Sequence, residues 1–306
     1  MNEESFFFIV GSPRSGTTVL GTIFDKHKDI SQWYEPYFIW DKYFRETEDD
    51  ERNREDATPL VQSYLRKMFI KYRNKRGTKL VVDKSPRNSL KIPFILEVFP
   101  NAKFVHILRD GRDATLSINR EWKKRLAIAG AKEKSDSFDY LKAANVVKKW
   151  LIRQPYMMDR VRAFWFETHG NIFKKSKHLN RLRWNGDVGW GPRFKNWTDI
   201  YSKYSLLQFN AWQWANCVKR IDETWMSIPE NNRIEIRYED LITKPDRTIE
   251  RLLAFMQVDL NDTFLSSIPK LKSDNFNKWE KEFTDLELFE IKPILDPMLT
   301  SFGYQI

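Results

Sequence analysis

The sequence predicts an α/β fold with a central, mainly parallel β-sheet flanked by helices, and three features carry that expectation. Phe6 to Val10 is an apolar run without alternation, the pattern of a strand buried on both faces. A glycine-bounded turn, Gly11 to Gly16, follows, and from Thr17 the pattern becomes helical, with Val19, Leu20, Ile23 and Phe24 on one stripe. The same rhythm of strand, turn and helix returns at Lys79–Asp83 and at Phe104–Leu108. At 306 residues the chain can bury a substantial core, and one domain over 1–306 is the simplest organisation. A basic, aromatic insertion falls within it at about 166–200.

Strand, glycine-bounded loop and helix N-terminus together form an anion cradle, because the first helical N–H groups lack intrahelical acceptors and the dipole favours negative charge there. The spacing is that of a P-loop, G-x-x-x-x-G-K-[ST], with Gly11, Gly16 and Thr18 in register. Thr17 stands where an NTPase has its phosphate-binding lysine, which argues against ATP or GTP hydrolysis. Arg14, inside the loop, can supply the missing positive charge. A second motif, Arg109-Asp-Gly-Arg-Asp-Ala-Thr-Leu-Ser117, follows the strand-like run Phe104–Leu108.

These two stretches resemble the nucleotide-binding motifs of sulfotransferases that use 3′-phosphoadenosine 5′-phosphosulfate (PAPS). Phe8 to Thr18 is similar to the loop with an Arg-Ser-Gly-Thr-Thr core that binds the 5′-phosphosulfate, and Arg109 to Ser117 to the 3′-phosphate motif, with Gly111 where proline is usual. The resemblance implies a P-loop-NTPase-like fold, a PAPS donor, the product 3′-phosphoadenosine 5′-phosphate (PAP) and no metal. It places Pro13, Arg14, Ser15, Gly16, Thr17 and Thr18 around the 5′ end, and Arg109 and Ser117 at the 3′-phosphate.

Taken in order, the remaining elements fill in the site. Ile30 to Trp40 is an aromatic connection in which Glu35 sits among Trp33, Tyr34, Tyr37 and Trp40. Partial desolvation there would raise its pKa and improve it as a base, and the resemblance implies a general base at this point. A strand-end acid bonded to backbone or to an arginine is the alternative. Asp41 to Thr58 reads as a charged surface excursion, and Leu60 to Tyr72 as a helix ended by Gly77. Lys79–Asp83 is the next strand; Lys84, in Lys-Ser-Pro, is implied by the resemblance to stabilise the leaving phosphate. Asn88 to Phe99 reads as one helix despite Pro93. Arg109 then falls at a strand's C-terminal end, where open α/β sheets bind ligands. His106 reads as a satisfied core histidine.

Glu121 to Phe166 is mostly helical in pattern. Between Asn171 and Lys195 seven Lys/Arg meet a single Asp, interleaved with Phe173, Trp184, Trp190 and Phe194. Such a loop suits a sugar or an anionic acceptor, so Trp33–Trp40 and Asn171–Lys195 are the expected acceptor contacts. Ile200 to Met226 returns to helix, and Arg233 to Leu241 alternates as a strand. The resemblance puts Tyr238 near the adenine, and Asn277 and Lys278 near the 3′-phosphate.

The expected reaction is transfer of a sulfuryl group from PAPS to a hydroxyl or amine of an acceptor, carbohydrate or glycolipid among the candidates. A P-loop nucleotide kinase, or a non-enzymatic binder of anionic glycan or nucleic acid, are the rival readings; the two nucleotide motifs disfavour nucleic acid. The net charge of +10 favours anionic ligands and leaves peripheral membrane contact open. Cys217, the sole cysteine, reads as a packed core residue. With a strand already at Phe6, no ~20-residue apolar span and no disulfide, a cytoplasmic location is the expectation.

Overall fold

Five strands, β1 (Phe6–Val10), β2 (Ile30–Tyr34), β3 (Leu80–Lys84), β4 (Lys103–Leu108) and β5 (Arg233–Arg237), form one parallel sheet in the order β2-β3-β1-β4-β5. The computed structural model describes residues 5–45, 47–133, 184, 189–271 and 275–305. Strand β1 lies at the centre and is buried along its whole length, as its unbroken apolar run requires. It pairs with β3 on one side and β4 on the other, so the order reverses at β1. A crevice opens beyond the carboxyl ends of the strands at such a point.

The helices follow in chain order: α1 (Thr17–Phe24), α2 (Tyr37–Trp40), α3 (Pro59–Arg76), α4 (Ile92–Val98), α5 (Gly111–Glu133), α6 (Trp197–Lys203), α7 (Leu206–Trp225), α8 (Tyr238–Thr243), α9 (Pro245–Met256), α10 (Asp262–Ser267), α11 (Trp279–Glu282) and α12 (Asp285–Ser301). Helix α3 buries Val61, Leu65, Phe69 and Tyr72, and Gly77 closes it in the left-handed region at φ 66°. Phe69 meets Phe6, Phe8 and Phe99 in an aromatic layer under β1. On the opposite face, α1 and α9 pack Leu20, Ile23, Phe24, Ile249, Leu252 and Leu253 against Phe7 and Ile9.

Several elements differ from the sequence expectation. The aromatic connection after α1 is half strand: Ile30–Tyr34 is an edge strand paired only with β3, and the polar Ser31 and Gln32 hid its period. The single helix expected over Asn88–Phe99 is a 3₁₀ turn, Pro86–Leu90, followed by α4, because Pro93 belongs in a first helical turn. Leu60, counted in the apolar stripe of α3, is 65% exposed. The segment read as a surface excursion carries a buried acid. Asp50 accepts the Arg193 backbone N–H at 2.9 Å and pairs with the guanidinium groups of Arg193 and Arg87. Helix Ile200–Met226 is divided at Tyr204, where Ser205 and Gln208 form a capping box for α7. The expected strand Arg233–Leu241 ends at Arg237, and Tyr238 opens α8.

Two compact units emerge among the described residues. One comprises 5–35, 47–119, 191–271 and 275–305; the other comprises 36–45, 120–133, 184 and 189–190. In the second, Trp122 meets Trp184 edge-on with centroids 5.3 Å apart, and the Gly189 backbone lies against the Trp184 ring. Helical expectations over 134–166 and most of the basic insertion, 166–183 and 185–188, lie outside the described residues.

Candidate active site

Every strand delivers a candidate residue at its carboxyl end: Glu35 follows β2, Lys84 closes β3, the Gly11–Gly16 loop follows β1, Arg109 follows β4 and Tyr238 follows β5. All belong to the first unit. The sheet therefore brings together residues that span some 200 positions in the sequence.

The loop is held from below and shaped by its glycines. The Gly11 N–H donates to Ser89 Oγ at 2.9 Å, and that hydroxyl donates to the Gly11 carbonyl at 3.0 Å. A Cβ at Gly11 would lie 2.6 Å from the Ile107 carbonyl oxygen, and one at Gly16, where φ is 95°, 2.4 Å from the Tyr238 ring. Ser12 and Ser15 are buried with their hydroxyls 2.5 Å apart, and the Pro13 carbonyl accepts from Ser12 at 3.2 Å. The N-terminus of α1 has no side-chain cap and no acid in its first turn, with Thr17 buried and Thr18 exposed. That is the state of a helix end suited to an anion.

Arg14 occupies the left-handed region at φ 66°, exposed, and its Nε donates to Ser117 Oγ at 2.9 Å. Its carbonyl accepts from Arg109 Nη1 at 2.9 Å, while Arg109 Nη2 donates to the Asn275 carbonyl at 2.8 Å. Arg109 is 5% exposed, lies 4.5 Å over the Tyr238 ring and leaves its Nε without a hydrogen-bond partner. Buried Tyr238 accepts from Asn275 Nδ2 at 2.6 Å. Thus Arg14, Gly16, Arg109, Ser117 and Tyr238 form one contiguous arrangement.

Glu35 and Lys84 form another. Lys84 Nζ lies 2.6 Å from Glu35 Oε1 and 4.4 Å from the centre of the Tyr34 ring, and the lysine side chain is 2% exposed. The Glu35 N–H donates to the Lys84 carbonyl at 2.9 Å, carrying the β2–β3 ladder one residue past β2. Glu35 has φ 45°, a strained value for a non-glycine residue, and Pro36 follows it. The aromatic surroundings expected for Glu35 are only part of its environment. The Lys84 ammonium is a close charged neighbour, and Trp33 is turned away, stacked on Tyr72 at 4.1 Å.

Three anchoring residues escape sequence reasoning. Asp113 accepts the N–H groups of Asn277, Lys278 and Trp279 at 2.7 to 3.1 Å, which pins that segment to the start of α5. Lys278 reaches the site region through its backbone, and Asn277 sits at φ 55°. Glu239 accepts from the Asp110 N–H at 3.0 Å and from the Tyr304 hydroxyl at 3.2 Å, and burial pushes its carboxyl above the usual range. Asp110 in turn holds Arg112 in a two-pronged bond, 2.7 and 3.0 Å. Asn275 is the third. Asp110 and Asp113 at least lie inside the Arg109–Ser117 motif; nothing local marks Asn275 or Glu239.

Other expected contacts fall elsewhere. Trp33, Trp40, Trp184 and Phe194 are buried, and Arg193 is occupied by Asp50, so these are packing residues. Cys217 is fully buried, and burial raises its thiol far above the ordinary range, in keeping with a core role. His106 is a core residue as expected, with Nδ1 2.8 Å from Glu235 Oε2, but only half satisfied, since its Nε2 is buried without a hydrogen-bond partner. Among the described residues, no group of three or more His, Cys, Asp or Glu could hold a metal ion, and no helix is long and apolar enough to cross a membrane.

Comparison with known proteins agrees with the fold. The chain matches the model of the sulfotransferase family over residues 7–171 and 192–262. The sulfotransferase domain from the curacin biosynthetic pathway superposes with a TM-score of 0.57 at 13% identity, covering 98% of each chain. The sulfotransferase domain of the Synechococcus PCC 7002 olefin synthase gives 0.52 at 14%, covering 98% of this chain and 95% of that one. These likenesses show the P-loop-NTPase-like fold. Among curated proteins, protein-tyrosine sulfotransferase 1 of Homo sapiens is 27% identical over 155 residues, 47% of this chain and 39% of that protein. The Danio rerio enzyme of the same name gives 27% over 155 residues, 47% and 40%. The match thus spans about two fifths of those relatives.

These relatives overturn the cytoplasmic expectation, since protein-tyrosine sulfotransferases are Golgi membrane enzymes. That expectation rested on the position of the first strand and on a lone cysteine, neither of which reports a compartment. The family match runs from β1 through the Arg109 motif and, beyond the second unit, through β5 into α10, so every strand that frames the crevice lies within it: the chain belongs to the sulfotransferase family.

Proposed function

We propose that the protein transfers a sulfuryl group from PAPS to an acceptor hydroxyl, with Glu35 as general base and Lys84, Arg14 and the loop amides as the charge-stabilising groups. The observation that carries this is the convergence of all five strand ends on one crevice. The residues present fit the donor. An uncapped helix end without acids suits its 5′ anion, and the buried Nε of Arg109 lacks an acceptor. Pro13, Ser15, Gly16, Thr17 and Thr18 would line the 5′ end; Arg109, Ser117, Tyr238 and Lys278 would serve the 3′-phosphate and adenine.

When bound, PAPS supplies the sulfuryl group and a phosphate leaving group. Lys84 orients the Glu35 carboxylate through their 2.6 Å contact, and Glu35 takes the proton from the acceptor oxygen as that oxygen attacks. Arg14, Lys84 and the amides from Ser15 to Thr18 balance the charge that grows on the departing phosphate. As in phosphoryl transfer, most of the catalytic effect is positioning. The donor has no β,γ-bridge for a metal to neutralise, so activity should persist in chelator. Two acceptor classes fit: carbohydrate hydroxyls, from the sequence reading, and tyrosine phenols, from the likeness to protein-tyrosine sulfotransferases.

The test is calorimetric titration with PAP, with and without Mg²⁺, alongside Arg109→Ala. The expected result is micromolar, metal-independent binding that the variant weakens about tenfold or more, about 1.4 kcal/mol. No PAP binding, or tighter binding of ATP with Mg²⁺, would overturn the donor assignment.

A further inference from the structure

Helix α3 carries an unusual distribution of charge on its outer face. Its 18 residues, PLVQSYLRKMFIKYRNKR, include Arg66, Lys67, Lys71, Arg73, Lys75 and Arg76 and no acid at all. The arginines are engaged: Arg66 Nε donates to the Val98 carbonyl, Arg73 Nη1 to Ser5 Oγ, and Arg76 lies 3.8 Å from Asp25. The lysines are not. Lys67, Lys71 and Lys75 are exposed, and among the described residues none forms an ion pair. They recur every four residues, so they rise in a row with steps of roughly 6 Å along the helix axis. Beyond the Gly77 cap the row continues to Lys79, whose side chain is 74% exposed and 3.2 Å from Asp29. Exposed Lys26 and Lys28 precede Asp29 in the α1–β2 turn. The acids near the row are Asp25 and Asp29, already paired, and Glu97 on neighbouring α4. Helix α3 runs down towards the amino end of β3, so the row leads away from the crevice at the strands' carboxyl ends.

We propose that this face docks on a membrane bearing anionic headgroups. Three observations favour a flat anionic surface over a polyanionic chain. The cations are point-like ammoniums rather than the guanidinium forks that read sulfate or phosphate in two-pronged fashion. They stand on the exposed outer face of a helix. Leu60, 65% exposed, lies on the same face about two turns before Lys67, an apolar contact for the headgroup boundary. The apolar face of α3 is already buried against the sheet, so binding would be mainly electrostatic and would weaken with salt.

Vesicle co-sedimentation with the whole chain tests this, using mixed phosphatidylserine–phosphatidylcholine vesicles beside pure phosphatidylcholine at low salt. The variant Lys67→Gln/Lys71→Gln/Lys75→Gln should lower the partition coefficient about 100-fold, at roughly fivefold per lysine. Lys71→Gln alone should give about fivefold, which keeps the test open should the triple variant fold poorly. A control, Lys219→Gln/Lys244→Gln/Lys292→Gln, removes the same charge from lysines that each have an acid four residues away. It should lose less than about tenfold, less than two lysines of the row are worth. Equal loss in the control, equal binding to pure phosphatidylcholine, or no binding to the mixed vesicles would each overturn the proposal. So would retention by a sulfated polysaccharide in place of vesicles, which would make the row a polymer site.

Discussion

On the β4–β5 side of the loop, Arg109 directs its terminal nitrogens to two backbone carbonyls, Arg14 bonds Ser117, and Tyr238 closes the arrangement through Asn275. On the β2–β3 side a buried ammonium faces one carboxylate at 2.6 Å, on a residue with strained backbone. The first side is a net in which each cation also ties chain segments together. The second is an ion pair in which the lysine is almost fully buried. In the net the cations meet mainly backbone and hydroxyl oxygens, with Asp113 3.7 Å from Arg109 Nη2 as the one carboxylate among these contacts, whereas a desolvated charge pair is costly to hold unless it is used or well compensated. The two flanks of one crevice are thus built for different tasks, holding a ligand and handling a proton.

The largest expected effect separates them. Glu35→Gln keeps the shape and an acceptor for Lys84 but removes the base, and should lower kcat about 10³-fold while changing PAP affinity less than about threefold. Lys84→Ala should lower kcat about 10²-fold. Steady-state turnover together with calorimetry checks both. Should Glu35→Gln weaken PAP as much as Arg109→Ala does, the division between the flanks fails. Arg109→Ala should act chiefly on affinity, about tenfold or more, read in the same titration.

Smaller effects sharpen the picture. Tyr238→Phe removes the acceptor of Asn275 Nδ2 and should cost about 1 kcal/mol in urea unfolding. The smallest lies at His106 and Glu235. Burial alone would raise the Glu235 carboxyl, but the hydrogen bond and charge of His106, with Arg237 and Arg251, bring it below its ordinary value. A carboxylate so lowered stabilises the fold above its unfolded pKa, and the contribution fades as pH falls through the folded value. Glu235→Gln should therefore cost about 1 kcal/mol or less at pH 7, given its exposure, and less at pH 3. Chemical denaturation at the two pH values measures the difference.

The sequence disclosed the net's cations together with Ser117 and Tyr238, and hid the segment around Asn275 that completes it. Arg14 and Arg109 stand in motifs whose spacing is itself the geometry, strand then turn then helix, so local pattern was enough. The carbonyl of Asn275 and the three amides held by Asp113 belong to a segment with no periodicity, joined across more than 160 positions, and backbone groups carry no residue-specific signal. The Glu35–Lys84 pair was half visible. Both residues stood out, but their contact depends on β2 being a strand in register with β3, and Ser31 and Gln32 disguised that strand as a connection. Trp184 and Phe194, two of the aromatics expected to face the acceptor, are packed inside for a related reason. A tryptophan in a basic stretch looks exposed by its company, yet Trp184 and Phe194 follow their own apolar area into the interior.

The bond between Arg14 and Ser117 joins a residue assigned to the 5′ end of the donor with one assigned to the 3′ end. On the proposed reading it works as a molecular ruler. A nucleotide with an anion at one end only engages one partner and leaves the other to water, while one with anions at both ends satisfies the pair together. Selection for a doubly anionic nucleotide would then arise from the bond that must be exchanged, before either end is recognised in detail.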